Sequence, residues 1–410
     1  MTTATNSIYM VTMSAPTNIA VIKYWGKADT HYNTPINSSL SVTLDQTELR
    51  AITTIAVSKQ FTKDRFWLNG VEEDELLHSP RFRACIEGVQ KLAQDHYDAQ
   101  GNLIYSKEDW KHLHLHISSY NTFPTAAGLA SSAAGYAALV AALCQLYHAV
   151  ETFPGEFSTI ARQGSGSACR SMYGGIVAWR QGTPKQEWRD SKAEPVLEDW
   201  PQLRALLLVV SDSKKDTSST TGMQTSVQTS MLLQYRAQHI VPARLQAMEQ
   251  ACHARDFGTF AQLTMQDSNQ FHATCLDTYP PIFYMNDISR QIVRIVTVYN
   301  SWAGELRAAY TFDAGPNAVI YCLEQHQQHL AALLCHYFPI PKGALSGLDT
   351  SSMALEESLL QACNETGRIP RMGDVQTMYA TKPGPGPLVV TDVCNLDPET
   401  GLNCYVPSLK

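Results

Sequence analysis

The residues best suited to chemistry begin with a run of small side chains at positions 124–136, Pro-Thr-Ala-Ala-Gly-Leu-Ala-Ser-Ser-Ala-Ala-Gly-Tyr. The proline disfavours helix before it, and the apolar residues after it predict a helix over 133–147. A small-residue turn that opens a helix leaves backbone N–H groups free to bind an anion, with the positive end of the helix dipole behind them. Ser131 and Ser132 add hydroxyls that suit a phosphate or a magnesium ion. The alternative is an alanine-rich packed helix with a serine cap.

A compact cationic segment, Lys23-Tyr24-Trp25-Gly26-Lys27, follows an apolar, strand-like run. The chain as a whole is acidic, so an anionic ligand needs a local cluster of cations such as this one. Surface lysines beside ordinary core aromatics are the alternative interpretation.

A serine- and glycine-rich segment that ends in an arginine covers residues 164–170, Gly-Ser-Gly-Ser-Ala-Cys-Arg. It follows a helix predicted over 156–163, and the next helix is expected to start near Ser167 with Arg170 in its first turn. A guanidinium there suits a carboxylate or phosphate, because it gives two parallel hydrogen bonds. A plain capped helix is the alternative.

Arg81 opens another predicted helix, against the helix dipole, which hints at an anionic neighbour.

Asp313 ends an apolar strand and precedes the turn Ala-Gly-Pro. A carboxylate at a strand end beside such a turn is a candidate catalytic base, and a simple turn residue is the alternative. The loop at 213–222 is basic and rich in hydroxyls. It can contact a phosphate or serve as a solvated connection. The alternating run at 112–117 predicts a strand with three histidines on one face, for which a solvated edge is favoured over a metal site.

The elements that position these residues form two lobes with a boundary near residue 200. Strands are predicted at 11–13, 39–44, 50–57, 176–180, 204–211 and 318–322. Helices are predicted at 81–92, at 287–299 and over 224–267, the last broken at Pro242. We expect an N-terminal ATP-binding lobe at 8–200 and a C-terminal lobe at 201–400 that carries Asp313.

Composition limits the class of protein. The 410 residues are 44% hydrophobic and 17% charged, with a net charge of −7. This balance is typical of a globular chain and argues against a general nucleic-acid or anionic membrane surface. Ten scattered cysteines without a CxxC pair, and a polar N-terminus, predict a cytoplasmic protein. The stretch 126–146 is expected to be a buried helix that does not span a membrane.

Taken in order, these motifs resemble the diphosphomevalonate decarboxylase family, within the superfamily of small-molecule kinases that includes galactokinase, homoserine kinase and mevalonate kinase. The resemblance lies in residues 18–27, 123–134, 164–170 and 312–317, and it extends to the Pro-Gly-Pro-Gly-Pro run at 383–387. It implies a two-lobed α+β fold of GHMP-kinase type, with a ribosomal-S5-like N-terminal lobe and a ferredoxin-like C-terminal lobe around one cleft. It further implies a homodimer that uses ATP and Mg²⁺ to convert mevalonate 5-diphosphate to isopentenyl diphosphate.

The resemblance also implies a role for each motif residue. Asp313 would deprotonate the tertiary hydroxyl, Lys23 would stabilise the transferring phosphoryl group, and Arg170 with Asn18 would hold the substrate carboxylate. The ATP phosphates would contact Ala127, Gly128, Leu129, Ala130, Ser131 and Ser132, and Ser131 or Ser132 is a possible magnesium ligand. The substrate would be lined by Tyr24, Trp25, Gly26, Lys27, Arg81, Ser165, Gly166, Ser167, Ala168, Cys169, Arg170, Ser219 and Thr220.

Two other functions stay open on the sequence. Gly-Leu-Ala-Ser-Ser at 128–132 differs from the Gly-Leu-Gly-Ser-Ser frequent among the sister kinases, which favours a decarboxylase over a kinase. A catalytically inactive sensor on the same fold would be expected to lose Asp313 or Lys23, and both are present. The segment 343–375 matches no motif and receives no predicted site.

Overall fold

The computed structural model describes residues 8–123, 131–210 and 216–406. Its strands are β1 (Tyr9–Pro16), β2 (Asn18–Ile22), β3 (Lys27–Asp29), β4 (Thr34–Pro35), β5 (Ser39–Thr43), β6 (Arg50–Ser58), β7 (Arg65–Leu68), β8 (Val71–Glu72), β9 (His96–Tyr97), β10 (Leu103–Tyr105), β11 (His114–Asn121), β12 (Ile176–Trp179), β13 (Ala193–Leu197), β14 (Leu203–Val209), β15 (Ala308–Phe312), β16 (Ala318–Leu323), β17 (Leu345–Ser346), β18 (Thr377–Thr381) and β19 (Leu388–Val389).

The helices are α1 (Asp74–Leu77), α2 (Pro80–Gln90), α3 (Ser131–Leu146), α4 (Glu156–Gly164), α5 (Ala168–Ser171), α6 (Ser219–Thr229), α7 (Met231–Tyr235), α8 (Val241–Ala254), α9 (Phe257–Asp277), α10 (Asp287–Ala303), α11 (Glu324–Tyr337) and α12 (Glu357–Asn364). Short 3₁₀ turns lie at Asp109–Lys111 and Pro184–Gln186, and a π turn at Arg236–Ile240 joins α7 to α8.

The N-terminal lobe contains a six-stranded sheet in the order β19-β1-β6-β11-β7-β8, antiparallel except for the β11–β7 pair. Helix α3 packs against β1 and β6. Alanines form this contact on both sides, with Ala15 and Ala51 on the strands and Ala134, Ala137 and Ala138 on the helix, all fully buried. Small side chains let the helix backbone come close to the sheet, so the alanine-rich stretch is a packing surface as well as a helix start.

The two lobes share one apolar core. A four-stranded sheet, β13-β12-β5-β2, faces the five-stranded C-terminal sheet, β15-β16-β14-β18-β17. Ile19 and Val42 of the first sheet belong to the same buried cluster as Leu207 and Val319 of the second, and side chains of α8 and α9 complete this cluster. Helices α10, α11 and α12 cover the opposite face of the C-terminal sheet. The lobes therefore meet across an apolar interface, which fixes the strand ends on either side of it.

Several predictions from the sequence need correction here. The histidine strand begins at His114, lies inside the sheet between β6 and β7, and buries His116 against Phe61 at 3.7 Å between ring centroids. It is not a solvated edge. Pro242 does not break a helix but occupies the first turn of α8, where proline is tolerated.

The C-terminal segment returns to the N-terminal lobe. Strand β19 pairs with β1, and Leu44 forms an isolated bridge with Pro383. The lobe boundary predicted near residue 200 stays a prediction. The C-terminal segment follows that boundary in sequence but pairs with strands of the N-terminal lobe. Among the described residues, no helix combines the length and the apolar character that a membrane crossing requires.

Candidate active site

A polar cleft of about 320 Å³ lies where the lobes meet. Both lobes contribute described residues to its wall, and most of them come from the motifs singled out in the sequence. They are Asn18, Ala20, Lys23, Tyr24, Trp25, Lys27, Asn33, Arg81, Ser132, Tyr136, Gly164, Ser165, Gly166, Ser167, Arg170, Ser219, Thr220, Met223, Phe271, Asp313 and Ala314.

An ion pair between Lys23 and Asp313 joins the lobes inside this cleft. Each residue directly follows the last residue of a strand, Ile22 of β2 and Phe312 of β15. The Lys23 side chain is 3% exposed and that of Asp313 is 33% exposed, so the carboxylate is the partner that faces the cleft. Burial lowers the pKa of Lys23, and the charge of Asp313 opposes that fall.

Arg170 of α5 lines the cleft and is buried. Its Nε donates to Asn18 Oδ1 at 3.2 Å and to Ser41 Oγ at 2.9 Å, and its Nη1 donates to Ser39 Oγ at 2.6 Å. Asn18 in turn donates to the carbonyl oxygen of Ser167 at 3.0 Å. The described residues give this guanidinium no carboxylate partner within ion-pair distance. A buried cation held only by neutral groups is suited to an anionic ligand.

The charges that line the cleft are strongly unequal. Lys23, Lys27, Arg81 and Arg170 are the described lining cations, and Asp313 is the one described lining carboxylate. Burial, with a smaller contribution from Arg81, lowers the pKa of Lys27 to about 8. The site therefore concentrates positive charge in an acidic protein and favours a ligand that carries several negative charges.

The aromatic residues of the cationic segment fix the loop that carries the lysines. Trp25 is 3% exposed, donates from Nε1 to Ser226 Oγ at 2.9 Å, and packs edge-on against Phe271. The Tyr24 ring lies 4.6 Å from that of Trp179. Gly26 has φ +91° and does not line the cleft; it supplies the turn between Trp25 and Lys27.

The serine- and glycine-rich segment lines the cleft through its backbone and its serines. A Cβ on Gly166 would lie 2.8 Å from Trp179, so only glycine lets Ser165 and Ser167 flank this close approach. The structure does not bring Ala168 or Cys169 to the cleft wall. Their side chains are fully buried in two separate apolar clusters, because α5 turns them away from the opening. The predicted substrate contacts of these two residues stay a prediction, to which their buried side chains do not contribute.

Helix α3 presents its first residues to two cavities. Ser132 lines the polar cleft, and its Oγ lies 3.2 Å from Ser165 Oγ. Ser131 and Ser132 also border a second cavity of about 260 Å³. The other residues that line it are mainly apolar, namely Thr53, Phe66, Leu68, Leu76, Phe82, Ser119, Asn121, Gly135, Tyr136 and Leu139. Predicted phosphate contacts at 127–130 lie outside the described residues.

Ser219 and Thr220 also line the cleft, in the first turn of α6. Sequence reasoning missed four side chains of the wall, Asn33, Tyr136, Met223 and Phe271 together with the small residues Ala20, Gly164 and Ala314. Ala20, Tyr136, Gly164 and Ala314 lie within quoted motifs whose roles were assigned to other residues, whereas Asn33, Met223 and Phe271 lie in no quoted motif. Across the described ranges, no group of three His, Cys, Asp or Glu side chains has metal-binding geometry.

A two-lobed α+β fold with a cation-rich cleft, a lysine–aspartate pair and a serine-bearing helix start defines a small-molecule enzyme of the GHMP-kinase class. Family models agree with this class. Residues 15–193 match the diphosphomevalonate decarboxylase-like N-terminal domain, and residues 205–390 match the mevalonate 5-diphosphate decarboxylase C-terminal domain. The chain belongs to the diphosphomevalonate decarboxylase family.

Individual relatives support the same membership. Diphosphomevalonate decarboxylase of Danio rerio is 51% identical over 388 residues, which cover 93% of each chain. The structure of mevalonate diphosphate decarboxylase from Trypanosoma brucei matches with a TM-score of 0.84 and 32% identity, over 94% of this chain and 98% of that one. A further solved structure, 27% identical with a TM-score of 0.68 over 94% and 99% of the two chains, is a complex with MVAPP, AMPPCP and magnesium.

Proposed function

We propose that the cleft between the lobes performs the ATP-dependent decarboxylation of mevalonate 5-diphosphate, which yields isopentenyl diphosphate, ADP, phosphate and CO₂. The observation that carries the proposal is the ion pair between Lys23 and Asp313 in a cleft whose other charged residues, among those described, are cations. The substrate combines a diphosphate, a carboxylate and a tertiary hydroxyl. Such a molecule needs several cations for its charges and one base for its proton.

The reaction requires proton removal and phosphoryl transfer at the tertiary oxygen. Asp313 accepts the hydroxyl proton as that oxygen attacks the γ-phosphorus of ATP. Lys23, held against Asp313, offsets the negative charge that develops on the transferring oxygens. The Asp313 carboxylate is partly exposed to the cleft while the Lys23 ammonium is buried behind it, and this arrangement supports the assigned roles.

Loss of the new phosphate then drives carbon–carbon cleavage. Phosphate leaves with the electron pair of its carbon–oxygen bond, and the tertiary carbon becomes electron-poor. The bond to the carboxylate carbon breaks, its electron pair forms the double bond, and CO₂ is released. We assign Arg170 and Asn18 to hold this carboxylate, because the buried guanidinium has only neutral hydrogen-bond partners among the described residues. Orientation of the breaking bond is the catalytic contribution of such a clamp.

The diphosphate is assigned to the outer part of the cleft. Lys27 and Arg81 supply its counter-charges, and the hydroxyls of Ser165, Ser167 and Thr220 line the same wall. Ser219 neighbours Thr220 in the first turn of α6. The positive end of this helix suits phosphate oxygens.

ATP is assigned to the start of α3 and the apolar cavity beside it. The cavity of about 260 Å³ is lined by Phe66, Leu68, Phe82 and Leu139, which suits a flat purine ring. The relative solved with AMPPCP and magnesium supports a nucleotide site and a metal in this fold. Magnesium, when bound, neutralises phosphate charge. The hydroxyl of Ser131 or Ser132 is the side-chain ligand we propose for it.

We also propose that the chain is a homodimer. A patch of exposed apolar side chains lies on α7, the end of α9 and the loop that follows: Met231, Leu232, Tyr235, Leu276, Tyr279 and Phe283. Hydrogen bonds from the Leu232 N–H to Asp277 and from the Tyr279 N–H to Thr229 hold these segments together. Exposed apolar side chains on these linked segments support burial by a second copy, and Tyr279→Glu should yield monomers in light scattering. Cytoplasmic location is supported by ten free cysteines, seldom exposed.

One assay tests the central proposal. The purified chain is incubated with ATP, magnesium and mevalonate 5-diphosphate, and ADP, phosphate, CO₂ and the isoprenoid product are quantified together. The expected result is one equivalent of each per turnover. ADP release with a retained phosphorylated product and no CO₂ would instead identify a sister kinase. Absence of ATP turnover would refute both.

A further inference from the structure

Helix α9 contacts the backbone on both sides of the catalytic pair through two adjacent residues. The Lys23 N–H donates to Asp267 Oδ1 at 2.7 Å. One residue along the helix, Ser268 Oγ accepts from the Phe312 N–H at 3.0 Å. Phe312 is the residue before Asp313. One turn of one helix therefore holds the strand ends that deliver both members of the pair, one from each lobe.

The carboxylate of Asp267 is completely buried and bound by two arginines. Arg236 donates to both oxygens, at 2.7 and 2.9 Å, and Arg244 donates to Oδ2 at 3.0 Å. Arg236 also donates to the Lys23 carbonyl oxygen at 3.3 Å. The network therefore holds the Lys23 backbone on both sides, since the Lys23 N–H donates to Asp267 and the Lys23 C=O accepts from Arg236.

Burial of a carboxylate and two guanidiniums is not an efficient way to gain stability. An ion-paired network of this kind is often no more stabilising than apolar residues of the same size. The network instead fixes the position and direction of the Lys23 backbone, because charged hydrogen bonds fix a backbone more tightly than apolar contacts do. The arrangement therefore favours a role in geometry.

We propose that Asp267 and Ser268 are positioning residues that set the distance and orientation between Lys23 and Asp313. The proposal rests on the roles assigned to that pair under the proposed function. Neither residue lines the cleft, so they act on the reaction only through the strand ends they hold. Ligand binding depends on the residues that line the cleft, and turnover depends on Lys23 and Asp313.

The charge of Asp267 gives the proposal an electrostatic signature. The charged or titratable groups that act on the Lys23 ammonium are Asp313 at the end of β15, Arg170 on α5, and Asp267 and His272 on α9. The two aspartates raise the pKa of Lys23 against the effect of burial. Loss of the Asp267 charge should therefore make Lys23 lose its proton at a lower pH.

The experiment compares Asp267→Asn and Ser268→Ala with Asp256→Ala in the full-length chain. Asp256 caps the same helix by accepting from the Thr259 N–H at 3.1 Å and contacts neither strand end, so it controls for loss of helix stability. Displacement of reacting groups by about 1 Å costs about a hundredfold in rate. We expect kcat to fall about a hundredfold in Asp267→Asn and about fivefold in Ser268→Ala. KM for both substrates should stay within about threefold, and Asp256→Ala should keep wild-type kcat.

The pH profile separates positioning from simple destabilisation. In Asp267→Asn the high-pH limb of kcat should move to lower pH, whereas in Asp256→Ala it should not move. Wild-type kcat and an unshifted limb in a folded Asp267→Asn protein would overturn the proposal. If Asp267→Asn does not fold, Ser268→Ala and Arg244→Gln test the proposal in its place. Wild-type kcat in both of these variants would overturn the proposal. A wild-type chain that releases no CO₂ would refute the proposed function itself, independently of these comparisons.

Discussion

Replacement of Asp313 by asparagine tests the chemistry most directly. The change keeps the size of the side chain and removes both its charge and its capacity to accept a proton. Asp313 is the one carboxylate among the described residues of the cleft wall, so no described neighbour can replace it as a base. Its ion-pair partner Lys23 is 3% exposed and would keep no carboxylate within ion-pair reach among the described residues.

The magnitude follows from two effects of the same sign. Loss of a general base costs about 10²–10⁴ in rate, which is about 3–5 kcal/mol in activation free energy. Burial already lowers the pKa of Lys23, and loss of the Asp313 charge lowers it further, so Lys23 also loses part of its positive charge. We therefore expect kcat/KM to fall about a thousandfold or more.

The assay measures CO₂ and ADP release in the same reaction, with ATP affinity determined separately by calorimetry. Asp287→Asn is the matched control, since Asp287 is an exposed partner of Arg290 and does not line the cleft. It should turn over at the wild-type rate. ATP affinity should be nearly unchanged in both variants. A folded Asp313→Asn protein with kcat/KM within a few-fold of wild type would show that another group removes the proton, and the assigned mechanism would be wrong.

Three further predictions address other parts of the site. Since the pKa of Lys27 is lowered to about 8, the free enzyme loses this charge as pH rises, and kcat/KM for the anionic substrate should decline above about pH 8. Lys27→Arg should move that decline to higher pH. An unmoved decline would exclude Lys27 as its cause. A Cβ on Gly135 meets nothing within 4 Å, so the side chain of Gly135→Leu should project into the apolar cavity. This variant should raise KM for ATP at least about tenfold without changing KM for mevalonate 5-diphosphate. An equal rise in both KM values would argue against adenine in this cavity. A Cβ on Gly164 would lie 2.1 Å from the Tyr136 ring, so Gly164→Ala should lower the free energy of unfolding, measured in urea, by about 1–3 kcal/mol. The control Gly258→Ala should not lower it. Equal stability of the two variants would contradict this packing argument.

Local pattern was sufficient for most elements that carry the site. The strand before Asp313 and the helix after residue 130 were predicted because apolar runs of these lengths have few other conformations. The strand that carries His116 was predicted as an exposed edge and is an inner strand, because alternation cannot show which strands pair on either side. The roles of Asp313, Lys23 and Arg170 came from the order of the motifs, and they stay proposals.

The sequence by itself determined the fold class, the family and the identity of the charged residues, since these depend on side-chain types and on neighbours along the chain. Only the tertiary structure decided which of those residues share a cleft. It turned Ala168 and Cys169 into the core. It also brought Asp267, more than 200 positions from Lys23, within 2.7 Å of that lysine's backbone nitrogen. Contacts of this kind depend on how α9 packs between the lobes, and no short stretch of sequence encodes that packing.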